Sequence, residues 1–124
     1  MKSYSRLNSS QVAEIMTKGR AVHTSSFLMK YIENKEGGVS IVSFVSSKKN
    51  FKTAVLRNKA RRRGRAALQI VVKAQKIHKK SPDQDKKGYF VVFLLKPIVL
   101  SESQSALMAD IEQSLIKSAI LNNL

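Results

Sequence analysis

The stretch Thr53-Ala54-Val55-Leu56-Arg57-Asn58-Lys59-Ala60-Arg61-Arg62-Arg63-Gly64-Arg65-Ala66-Ala67-Leu68-Gln69-Ile70-Val71-Val72-Lys73 decides how the rest of the chain is read. At about 100° per residue, Leu56, Ala60, Gly64, Ala67, Ile70, Val71 and Ala74 fall on one arc. Arg57, Asn58, Arg61, Arg62, Arg65 and Gln69 fall on another. This division predicts a helix from Thr53 to about Lys73, with Arg63 at the margin of the apolar arc and Leu68 and Val72 on the polar side. Alanine and glycine are prominent on the apolar arc, so that side can lie close against a sheet. Arg57 and Arg62 are expected to point outward.

Downstream, Gln75–Gly88 is polar and contains the turn signal Ser81-Pro82-Asp83. Tyr89–Lys96 is almost continuously apolar, the pattern of a central strand covered on both faces. Upstream, Phe27, Met29 and Tyr31 alternate within Ser25–Glu33, which reads as a strand. Gly37-Gly38 supplies a turn, and Val39–Ser46 reads as the partner strand of a hairpin. Near the start, Asn8 and Gln11 have the form of a capping box, Val12, Ile15 and Met16 recur at helical spacing, and Gly19 ends the helix. Ser101 and Gln104 suggest a second box, opening a helix with Leu107, Met108, Ile111, Leu115 and Ala119 as its apolar stripe. The order is helix, strand, strand, helix, strand, helix. A strand–helix–strand unit in the middle implies a parallel pair, hence an α/β or α+β domain spanning residues 1–124.

Charge narrows the function. Lys and Arg number 23 against 8 acids, a net charge of +15. Between Gly37 and Pro82 there are 13 basic residues and no acid, and nine of the 13 lie within Lys48–Arg65. Such a concentration suits a polyanion. Polar-face side chains over three turns form a strip roughly 12 Å long, and Arg can hold phosphates bidentately. Carboxylates are too sparse for an independent metal-dependent nuclease. Asp83 with Asp85 lies in a lysine-rich loop, and Asp110 with Glu112 reads as a solvated helix face. His23, ahead of the first expected strand, and His78, in the long loop, stand alone. No catalytic residue and no metal ligand is therefore expected in the protein. With no cysteine, no apolar run of the ~20 residues that cross a bilayer and a polar N-terminus, a cytoplasmic protein is expected. A DNA-reading helix is disfavoured, because no helix-turn-helix precedes the basic helix. A noncatalytic RNA-binding module, such as a ribosomal protein, is the alternative.

Lys48-Lys49-Asn50, Ala54 and Arg57-Asn58-Lys59-Ala60-Arg61-Arg62-Arg63-Gly64-Arg65 together resemble the signature of the bacterial ribonuclease P protein component. That signature is Arg-Asn-Arg-x-Lys-Arg-x-x-Arg on a central helix, after a Lys-Lys pair at a strand end. Arg57, Asn58, Arg62 and Arg65 match it, while Lys59 and Arg61 are basic exchanges. Arg6-Leu7 through Gly19-Arg20, and Tyr89-Phe90-Val91-Val92 through Lys96-Pro97, are similar to the family's ends. The resemblance implies a protein that assists a catalytic RNA in removing the 5′ leader of precursor tRNA. The RNA and its Mg²⁺ perform the hydrolysis. It implies a small two-layer sandwich with a roughly four-stranded sheet and three helices, a further strand before the central helix, and a left-handed crossover against the usual rule. Lys48, Lys49, Lys52, Arg57, Asn58, Lys59, Arg61, Arg62 and Arg65 would bind the catalytic RNA. The leader would lie in a cleft between the first helix and the sheet. The cleft would be lined by Val12, Met16, Phe27 and Tyr31. Family members place two aromatics at the positions of Val12 and Met16, so base contact would fall to Phe27, Tyr31 or backbone groups, or the leader would be held more weakly. No membrane and no obligate protein partner is implied.

Overall fold

A computed structural model describes residues 7–34, 40–78 (backbone only from 75) and 88–118. The turn at Gly37-Gly38, the turn at Ser81-Pro82-Asp83, the Asp83/Asp85 pair and Ala119 lie outside the described residues. Helix α1 (Ser9–Lys18) starts with the expected capping box, Asn8 and Gln11 exchanging side-chain-to-backbone hydrogen bonds of 2.8 Å. It ends at Gly19, whose backbone is extended, not left-handed. Crowding is what requires glycine there: a Cβ would stand 2.5 Å from the Ile15 carbonyl oxygen and 3.1 Å from that of Tyr31.

The chain passes directly into β1 (Arg20–His23), so the additional strand lies ahead of β2 (Phe27–Asn34), and His23 closes it. After β3 (Ile41–Val45) come α2 (Ala54–His78) and β4 (Gly88–Leu95). Helix α2 runs about a turn further than expected, so His78 ends it. A 3-10 turn (Pro97–Leu100) precedes α3 (Gln104–Lys117). That turn displaces the expected cap: Ser101 donates its hydroxyl to the Ile98 carbonyl, and Ser103 accepts from the Ala106 N–H at 3.1 Å instead.

The sheet order is β1-β2-β4-β3, antiparallel except for β3 with β4. The expected hairpin between β2 and β3 does not form, because β4 lies between them. Val91, Val92, Phe93 and Leu95 are fully buried, and each such side chain contributes about 1.5–3 kcal/mol on leaving water. Only a central position, with strands on both edges and helices on both faces, buries them all.

Alternation along the strands sorts the core. Phe27, Met29, Phe44, Val91, Phe93 and Leu95 meet α2 and α3 through Ala60, Ala67, Leu68, Val71, Leu107, Ile111 and Leu115. The other face carries α1, with Leu7, Ile15 and Val92 buried. The contact line of α2 differs from the expected arc. Leu68 is buried and Val72 packs at the margin, whereas Leu56 is 37% and Ile70 46% exposed, and Ala74 is also exposed. The line runs through Ala60, Gly64, Ala67, Leu68 and Val71, rotated toward Arg57 and Arg61. At its centre a Cβ on Gly64 would stand 2.8 Å from the Phe44 ring, which itself stacks on Phe93 with centroids 5.0 Å apart.

Candidate nucleic-acid interface

Basic side chains converge where β3 passes into α2. Lys48, Lys49 and Lys52 are exposed on this connection. It is tethered: Phe51 is fully buried in the core, and its N–H donates to the Ser47 carbonyl at 2.9 Å. Ser47 Oγ also accepts from the Asn50 N–H at 3.2 Å. Thr53 then caps α2, its Oγ1 accepting from the Leu56 N–H at 3.2 Å. No acid occupies the first turn of the helix, so its N-terminal dipole adds to the lysines' potential.

On α2 the aligned cations divide into two sets. Asn58, Lys59, Arg62 and Arg65 are exposed, while Arg57 and Arg61 are half-buried on the flank toward β3. Arg57 therefore does not simply point outward, as its wheel position suggests. Its Nη1 donates to the Phe51 carbonyl at 2.9 Å, tying the helix to the basic turn. Arg61 Nη1 donates to Ser46 Oγ at 2.9 Å and its Nη2 to Asn58 Oδ1. Ser46, buried, donates its own hydroxyl to the Arg57 carbonyl at 3.1 Å. Ser46 thus joins the strand end to both arginines, a role with no local sequence signal because its partners lie 11 and 15 positions ahead. Arg63, at the opposite margin, faces the start of α3 and donates to the Glu102 carbonyl at 2.6 Å. None of the candidate cations meets a carboxylate among the described residues; Glu14 and Lys18 pair on α1, at 4.0 Å. Every described acceptor that holds Arg57 or Arg61 is neutral, so no described carboxylate compensates their positive charge.

The four side chains expected to share a cleft are not brought together. Val12 and Met16 lie on the sheet-facing side of α1, packed with Ile32, Ile41, Val45 and Phe90. Phe27 and Tyr31 belong to the opposite face: Phe27 is fully buried edge-on against Phe93, and Tyr31 stands beside Tyr89. Strand alternation predicts that Phe27 and Tyr31 share a face, but it does not say on which face the first helix lies. Around α1, Phe90 and Leu94 of β4 and Ile41, Ser43 and Val45 of β3 are left half-exposed. Phe90 is the aromatic side chain of that surface. Lys30, also on that face, donates to the Met16 carbonyl at 2.5 Å and braces the end of α1.

Similar proteins agree with this architecture. The RNase P protein of Staphylococcus aureus superposes with a TM-score of 0.66 at 20% identity, covering 97% of this chain and 99% of its own. The RNase P protein from Thermotoga maritima gives 0.65 at 18% identity, over 91% and 96% of the two chains. Among curated protein sequences, none matches significantly. The family model described as Ribonuclease P matches residues 1–119, and the chain belongs to that family.

Proposed function

We propose that this ribonuclease P protein binds the catalytic RNA through the Lys48–Lys52 turn and the cationic side of α2. In this reading the 5′ leader of precursor tRNA runs across the sheet beside α1, and the RNA hydrolyses the phosphodiester. The observation that carries the proposal is the row Lys59, Arg62 and Arg65, exposed and without a carboxylate partner among the described residues, flanked by Arg57 and Arg61 held on neutral oxygens. A guanidinium already bonded on one side presents its remaining N–H groups in a fixed direction, which suits the regular spacing of phosphates. Neutralising roughly 5–8 phosphates corresponds to a log–log salt slope of about −4 to −7.

The leader surface in this proposal consists of Val12, Met16, Phe90 and Leu94, with Phe90 offering the face on which a base stacks. Phe27 and Tyr31 have no part in it. Mg²⁺ belongs to the RNA. The described residues bring no three His, Cys, Asp or Glu side chains together. The protein's contribution is to hold two RNAs in register and to offset the repulsion between their phosphates. No helix among the described residues is long and apolar enough to cross a membrane.

The test is reconstitution. Purified protein is added to the catalytic RNA and precursor tRNA at low Mg²⁺, where charge screening is weakest. Leader removal is expected to accelerate; an unchanged rate removes the proposal.

A further inference from the structure

A second recess lies away from the α2 surface. It opens at the edge of β2 just past the point where β1 begins, Arg20 being paired with Tyr31. Lys18, Arg20, Tyr31, Glu33, Tyr89 and Ser118 line it, around a volume of about 340 Å³. Tyr89 is five residues before Leu94, which pairs with the last residue of β3, so the recess is about 17 Å along the strands from the basic turn. It is therefore not an extension of the α2 surface.

Its chemistry is mixed in a specific way. Tyr31 and Tyr89 stand side by side, ring centroids 6.4 Å apart and planes at 68°. Both are half-buried, and neither phenolic hydroxyl bonds to another described residue. Arg20 is exposed and shares Tyr31's side of the sheet as its cross-strand partner. Lys18 approaches from the end of α1; its pairing with Glu14, at 4.0 Å between exposed side chains, restrains it little. Ser118 points its hydroxyl back to the Ser114 and Leu115 carbonyls, leaving its oxygen as an acceptor.

Aromatic rings beside cations suit a nucleobase with its phosphate. The volume matches one nucleotide and falls at the small end of ligand sites. Lys18 and Arg20 supply the cationic groups that a phosphodiester meets. We propose that this recess binds one nucleotide of unpaired RNA, the base against Tyr31 and Tyr89 and the phosphodiester at Lys18 and Arg20. It would hold RNA at a place separate from α2, and it does not depend on how α2 is used.

Uridylyl-uridine, a dinucleotide with one phosphodiester, is the probe. It is titrated into the isotope-labelled full chain while backbone amide resonances are followed. Saturable shifts are expected at Gly19, Ile32, Tyr89 and Ser118. Arg20→Gln, on an exposed side chain, should weaken the affinity at least fivefold. Arg62→Ala with Arg65→Ala should leave these shifts and their midpoint unchanged. Absence of saturable shifts at those amides, an Arg20→Gln midpoint equal to wild type, or loss of the shifts in the α2 variant would each overturn the proposal.

Discussion

Arg57 and Arg61 lie within two turns of Arg62 and Arg65, and on paper the four are one stripe. In the folded chain they are two kinds of side chain. Arg57 and Arg61 are half-buried, each with a guanidinium nitrogen on a neutral oxygen supplied by Phe51 or Ser46. Arg62 and Arg65 stand on the crest of α2 with no bond to any described residue. Immobilising a free, rotamer-rich side chain on binding costs about 0.5–1.5 kcal/mol, and much of that cost has already been met by folding for the first pair. The second pair keeps its freedom. In the proposed complex, direction would come from the first set and adaptability to varied phosphate positions from the second.

That contrast is open to direct attack. The largest effect is expected from Arg62→Ala combined with Arg65→Ala. Losing roughly tenfold in affinity per contact, about 1.4 kcal/mol each, the double variant should bind the catalytic RNA roughly a hundredfold more weakly. Its salt slope should be shallower by about 2, with stability within about 0.5 kcal/mol of wild type. A fall in melting temperature would mean the crest arginines also support the fold. Arg57→Ala should behave differently, costing about 1–2 kcal/mol of stability through the lost bond to Phe51 as well as flattening the salt slope by about 1. If its thermal unfolding matches wild type, the distinction between the two sets disappears. The smallest effect belongs to Ser46→Ala, which removes no charge. It should lower RNA affinity about threefold and leave the salt slope where it was, because Arg61 is loosened and not lost. Ser46→Thr, which keeps the hydroxyl, should restore the affinity; a changed slope would show that Ser46 acts otherwise.

Much of this could be read before any coordinates. The basic helix, the Asn8–Gln11 cap and the buried character of Tyr89–Leu95 all follow from local pattern, because each depends on neighbours a few positions away. Strand order does not. Phe27–Asn34 and Ile41–Val45 read as a hairpin because they are consecutive, and nothing local reveals that β4 fits better between them. The wheel of α2 located an apolar arc but not its centre, so Leu68 and Leu56 exchanged roles once the helix met Phe44. The grouping of Val12 and Met16 with Phe27 and Tyr31 broke for the same reason at the level of faces. Parity grouped Phe27 with Tyr31 correctly, while the side chosen by α1 depends on Val92 and Phe90, more than 70 residues after Val12. Ser46 was invisible because hydroxyls are common at strand ends and its partners are on another element.

Gly64 has one more consequence. A glycine inside a helix is unfavourable by about 1 kcal/mol relative to alanine, and here the ring of Phe44 fills the space where a side chain would be. A free peptide copied from α2 has no such backing and carries the penalty alone, so it would fray at its midpoint. The spacing of its positive groups is inherited from the sheet beneath, and a short mimic would reproduce the composition of the surface without its geometry.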